Sequence, residues 1–228
     1  MGFAAFTFLE GELYQSYQTY AFSQALFKRP ASLAGFLIQW EERLGLRSSR
    51  LKLARPQKAA EANANRESMT ADLPTPPVLS TWTQLPPKNS SLGLLQIPRL
   101  RLSVVILEGD DDGTLRLGAG HLRGTAFPGQ PGNFAVAAHR DTYFRALKDI
   151  RKDDAIHVTT LQGSFDYIVQ STEIVQPRDT KVLRASSRPS LTLITCFPFY
   201  FVGPAPQRFI VHAIQASTVR DLTFANTG

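Results

Sequence analysis

The chain has 228 residues, 43% of them hydrophobic, and a formal net charge of +6. That length fits one domain of ordinary size with extensions, or two small domains, and that apolar content excludes wholesale disorder. A single cysteine, Cys196, excludes an internal disulfide framework, and acids set among the bases (Asp110 to Asp112, Asp153, Asp154) argue against a nucleic-acid-binding stripe.

Met1–Leu9 is apolar and runs straight into Glu10 and Glu12. A membrane-spanning helix needs about 20 apolar residues, so this stretch does not span as it stands. It also lacks the basic start and small-residue cleavage site of a secretory signal. It reads as a helix start, or as the end of a membrane anchor that begins upstream. Leu13, Tyr14, Tyr17, Tyr20, Ala21 and Leu26 recur near helical spacing and predict a helix within Glu12–Leu46. Pro30 disfavours continuation through Arg29, so the helix is expected to break at Phe27–Pro30 and resume near Ser32. Residues 1–54 are thus expected to form a helical stalk, packed on its own domain or on a partner, or lying on a bilayer. The bases between Arg43 and Lys58 would be drawn to anionic lipid.

Residues 55–91 hold six of the fifteen prolines and no hydrophobic periodicity, which predicts an extended, semi-rigid linker. Trp82 is its exception and is expected to dock on the domain that follows. From Leu92 the texture changes to short apolar runs between turn signals. Strands are predicted at Gly93–Ile97, Leu102–Leu107, Phe134–His139, Ala155–Thr160, Phe165–Val175, Leu191–Cys196 and Phe209–Ile214. One helical segment, Tyr143–Ile150, is expected, with Asp141 before it as a candidate N-cap. The fold class is mainly β, a closed barrel or a sandwich, over residues 92–217, with a tail at 218–228. Gly118-Ala119-Gly120 is too short for a phosphate loop, and the chain has no Cys/His metal spacing, so no cofactor is expected.

The chemistry centres on Cys196. Pro198, Gly203, Pro204 and Pro206 separate its strand from one beginning near Arg208. If the two strands pair antiparallel, Cys196 and Arg208 lie close together. Alternation puts Thr192, Ile194 and Cys196 on one face, and Arg208, Ile210 and His212 on one face of the second strand. A thiol beside a guanidinium is favoured as thiolate, the nucleophilic form. The competing reading is a small buried hydrophobe, as free cysteines often are. A nucleophile needs a proton partner, for which imidazole is the usual choice. Of four histidines, His139 ends a strand and opens into a polar loop, where functional residues concentrate. His157 lies inside a strand, His212 shares the Arg208 face, and His121 sits in a Gly-rich turn with a structural reading.

Three segments together resemble the sortase family of cysteine transpeptidases, and most of all its class D members. They are His139 within Gly132–Leu147, then Leu191-Thr192-Leu193-Ile194-Thr195-Cys196, then Arg208-Phe209-Ile210-Val211 a dozen residues on. The segment Gly118–Gly129 is similar to the one that precedes the family's histidine, and Ala138 departs from the glycine common before that histidine. The resemblance covers about Leu92–Ala216 and implies an eight-stranded β-barrel with the thiol and imidazole at one end.

On matched positions it implies Cys196 as the nucleophile on the threonine carbonyl of a Leu-Pro-x-Thr-x-like sorting signal. His139 would be the general acid/base, and Arg208 would stabilise substrate and oxyanion. Thr195 and Asp141 are expected at the substrate, Asp141 alternatively orienting His139 or capping the helix. The implied partners are surface proteins that carry the signal, an amine acceptor from a cell-wall precursor or another protein, and the membrane through an N-terminal anchor. The implied location is the cell membrane, with the catalytic domain extracytoplasmic. Two other readings stand beside it: a cysteine endopeptidase that releases its product to water, and a non-catalytic β-barrel binding module.

Overall fold

The computed structural model describes residues 2–43, 85–201 and 203–216. The expected linker up to residue 84, Trp82 included, and the tail from 217 lie outside the described residues. Helix α1 (Gly2–Leu26) begins ten residues before the periodic stretch that predicted it, and α2 (Leu33–Arg43) follows the expected break. The two fold back on one another through aromatic contact, Tyr17 and Tyr20 packing on Phe36 at ring distances of 5.4 and 5.8 Å.

Eight strands follow: β1 (Ser91–Ile97), β2 (Leu102–Glu108), β3 (Ala119–His121), β4 (Asn133–Ala137), β5 (Ala155–Thr160), β6 (Gly163–Val175), β7 (Ser190–Phe197) and β8 (Gln207–Gln215). They close into a barrel in the order β1-β2-β3-β4-β7-β8-β6-β5. The pairs β2/β3 and β4/β7 are parallel and the others antiparallel. Strand β5 shows why the sequence takes this form. Ile156, Val158 and Thr160 are buried while Ala155, His157 and Thr159 are not, the period of two that a one-sided strand requires. Phe134, Val136, Tyr167, Leu191, Leu193 and Val211 fill the interior, each buried. Burying a side chain of this size contributes about 1.5–3 kcal/mol.

A short helix and a strand are among the elements that were not expected. The segment Asp112–Leu117 is a short helix, α3, capped by the Asp111 carboxylate, which accepts from the amides of Gly113 and Thr114. The stretch read as a Gly-rich turn contains β3. Its glycine reflects close approach, since a Cβ on Gly120 would lie 2.2 Å from the Gly109 carbonyl oxygen. His121 on β3 is buried and paired with Glu108 at 2.7 Å; Thr125 Oγ1 and the Ala126 carbonyl lie 3.0 and 3.2 Å from its other nitrogen. The expected helix over Tyr143–Ile150 is a 3-10 segment, Arg145–Asp149, with Phe144 at its cap position and no side-chain cap. Phe144 and Leu147 are fully buried, so core packing rather than capping sets this turn. Asp141 is therefore not the N-cap.

Helix α1 docks against α3, β1 and β2, and the Gln15 amide side chain bonds to the backbone there. Gln15 accepts from the Val105 amide at 2.8 Å and donates to the Leu117 carbonyl. Among the described residues no helix is long and apolar enough to cross a membrane.

Tyr167 gives the core a pH signature. Burial pushes its hydroxyl up to about 12, partly offset by the Gly129 amide that donates to it. The folded value lies above the ordinary 10.0. Its contribution is therefore whole below pH 10 and is lost as pH rises to about 12, amounting to about 2–3 kcal/mol. The expected result is that Tyr167→Phe shows a shallower alkaline decline in unfolding free energy than wild type, measured by urea titration from pH 8 to 12. Parallel curves would remove Tyr167 as the cause.

Candidate active site

Strand parity decides what faces the site. Leu191, Leu193 and Thr195 point into the barrel, as do Phe134, Val136 and Ala138. Thr192, Ile194 and Cys196 therefore face outward, and Arg208, Ile210 and His212 do the same on β8. Cys196 pairs directly with Arg208 in the antiparallel β7/β8 ladder. On its other side β7 runs parallel to β4, with Ala137 level with Ile194. The ladder continues past β4: the Ala138 amide donates to the Ile194 carbonyl at 3.2 Å. β4 ends at Ala137, and its register carried two residues further would set His139 level with Cys196. Cys196 and Arg208 thus stand side by side in a row on the outer surface, at the end of the barrel where β4 and β7 terminate, and His139 follows the end of the neighbouring β4 by two residues.

The Cys196 thiol is free and half-buried. Arg208 is oriented by its own backbone: Nη1 donates to the carbonyls of Ala205 and Gln207 at 3.3 and 3.0 Å. Among the described residues no carboxylate pairs with it, so its charge and remaining donors are left for the site. The histidines separate by partner. His121 holds Glu108, His157 faces Asp166 at 2.5 Å, and His212 faces Glu173 at 2.7 Å. The His139 ring makes no hydrogen bond among the described residues, unlike the other three histidines.

The two remaining expected residues fare differently. Thr195 is 2% exposed, and its hydroxyl donates to the Ala138 carbonyl at 2.8 Å. It latches β7 to the backbone just before His139 and offers substrate no side-chain surface. Asp141 is exposed and makes no hydrogen bond among the described residues, so it does not orient His139. It lines an open cavity of about 580 Å³ with Arg101, Arg116, Arg145 and Lys148. Among the described residues no cluster of His, Cys, Asp or Glu is disposed to hold a metal.

Sequence reasoning missed the residues that fix the loops around the row. Asn133 at the start of β4 accepts from the Thr192 hydroxyl at 2.8 Å and donates to the Val182 carbonyl at 3.0 Å. That pair ties the loop between β6 and β7 to the outer face. Arg140, the residue after His139, binds the loop between β7 and β8. Both depend on contacts across 49 or more residues of chain, which no local pattern carries.

Residues 95–216 match the sortase domain family. The chain belongs to the sortase family. It is 34% identical over 128 residues to Sortase D of Bacillus subtilis, covering 56% of this chain and 65% of that protein. It is 26% identical over 113 residues to Sortase A of Listeria monocytogenes, covering 48% of this chain and 50% of that one. The chain thus spans between half and two thirds of these curated relatives. Among solved structures it is similar to the Clostridium perfringens Sortase D5 transpeptidase, at TM-score 0.53 and 30% identity over 57% of this chain and 81% of that one. It is also similar to Sortase A from Corynebacterium diphtheriae, at TM-score 0.54 and 29% identity over 59% of this chain and 64% of that one. These likenesses place this sortase close to class D.

Proposed function

We propose that this sortase cleaves a Leu-Pro-x-Thr-x-like sorting signal after its threonine and joins the new carboxyl end to an amine at the cell envelope. What supports this reading is the β7/β8 ladder that pairs Cys196 with Arg208, with His139 two residues past the end of the neighbouring β4 in a chain that matches the sortase domain. The Cys196 sulfur, as thiolate, attacks the threonine carbonyl carbon, and the π electrons pass to oxygen. Arg208 donates to that developing oxyanion from an already fixed position, which is worth more than a donor that must reorganise. The tetrahedral intermediate collapses, the C–N bond breaks, and His139 protonates the leaving amine. A thioester between substrate and Cys196 remains. An acceptor amine then attacks it, His139 takes the amine's proton, and Cys196 leaves as thiolate. Asp141 would meet the groups that flank the cleaved bond, a role supported by its exposure and its place two residues after His139. The helical N-terminal segment would hold the barrel near the membrane, on the outer side.

The test follows products by mass after incubation with Leu-Pro-x-Thr-x peptides, with and without oligoglycine. A product cut after threonine and joined to the amine supports the reading. A hydrolysed product alone, across several amines, would make the protein an endopeptidase. No cleavage, together with an unreactive folded-state thiol, would leave a binding barrel.

A further inference from the structure

Arg140 follows His139 directly, at the end of the β4 extension, while the loop over residues 198–206 follows Cys196. One guanidinium joins them. Arg140 Nη2 donates to the Phe201 carbonyl at 2.7 Å and to the Gly203 carbonyl at 3.0 Å, and its guanidinium carbon lies 5.8 Å from the centre of the Phe201 ring. Gly203 has φ of 100°, a conformation glycine adopts readily and other residues rarely. A second cation repeats the pattern, with Arg145 lying 5.7 Å from the centre of the Tyr200 ring. Both rings remain open to solvent, Tyr200 at 71% and Phe201 at 45% exposed. Exposed aromatic rings held four and five residues after a nucleophile offer an apolar wall for an extended peptide. None of these contacts belongs to the barrel core.

We propose that Arg140 is a positioning residue, clamping the loop after Cys196 so that its aromatic rings form one wall of the peptide-binding groove. This rests on the transpeptidase reading above. The substrate class is an extended peptide whose apolar part precedes the cleaved bond. One nitrogen, Nη2, serves both carbonyls, while the planar guanidinium also lies over the Phe201 ring. A lysine ammonium is compact, strongly hydrated and not planar, so it does not reproduce that combined contact.

The experiment compares wild type, Arg140→Ala and Arg140→Lys, using the full chain. With the peptide cleaved by wild type, both variants are expected to raise KM about 10-fold while kcat stays within about 3-fold, the mark of lost binding rather than lost chemistry. Chymotryptic cutting after Tyr200 or Phe201, identified by mass, should quicken about 10-fold in both, since a freed loop opens to protease more often. Thermal midpoints should stay within about 2 °C of wild type, because no core contact is lost. Unchanged KM, full rescue by lysine, or a fall in kcat at constant KM would overturn the proposal. The proteolysis arm needs no turnover. If wild type cleaves no peptide, the transpeptidase reading fails, while an unchanged cutting rate separately refutes the clamp.

Discussion

Replacing Cys196 with alanine is expected to lower turnover of a sorting-signal peptide by at least about 10³-fold, to the level of background hydrolysis. The reason is chemical: no other thiol exists in the chain to form the thioester. The loss should come without unfolding. The thiol is half-buried and makes no hydrogen bond among the described residues, so a missing sulfur leaves neither an orphaned polar partner nor a large cavity. The thermal midpoint of Cys196→Ala should therefore match wild type within about 2 °C, and its peptide affinity should persist in a binding titration. A covalent adduct of peptide mass should form on wild type, be removed by hydroxylamine, and be missing from the variant. Retention of a tenth of the activity by Cys196→Ala would sink the nucleophile assignment. His139→Ala belongs in the same series, with an expected loss of about 10²–10⁴-fold, the range of general acid–base catalysis.

The parts of this molecule that were legible in the sequence are those governed by short-range alternation. Strand β5 could be read directly, because its buried and exposed residues alternate without interruption. The same rule put Cys196 and Arg208 on matching faces, and the ladder pairs them. Applied one residue earlier, it also places Thr195 on the opposite, inward face, against its expected substrate role. Strand β3 was hidden because its glycine answers to a neighbouring carbonyl rather than to a turn. The Asp141 cap was plausible locally, but burial of Phe144 and Leu147 moved the helical turn onward. The parallel pairing of β4 with β7 joins segments more than fifty residues apart, and it is this pairing that carries the end of β4, just before His139, to the strand that holds Cys196. No local pattern encodes that pairing; the resemblance to the family stood in for it. The side chains that hold the flanking loops, Asn133 and Arg140, are visible only once those distant segments meet.

Arg208 should show the second-largest effect, and its size depends on geometry as well as charge. Arg208→Ala is expected to lower kcat/KM by about 10²–10³-fold, the usual loss when one preorganised oxyanion donor is removed. Arg208→Lys restores the charge, yet it should recover only part, leaving a deficit of about 10-fold or more. In wild type the Ala205 and Gln207 carbonyls take Nη1, which fixes the planar group and leaves its other N–H donors without a hydrogen-bond partner among the described residues. An ammonium has no fork to be fixed in this way. The deficit should appear mainly in kcat, because the oxyanion exists only in the transition state and the intermediates around it. A role confined to peptide binding predicts the reverse, a raised KM with kcat preserved. A role in holding the start of β8 predicts a lower thermal midpoint in both variants. Steady-state kinetics with melting curves on Arg208→Ala and Arg208→Lys separate the three, since only oxyanion stabilisation lowers kcat in both while leaving stability in place.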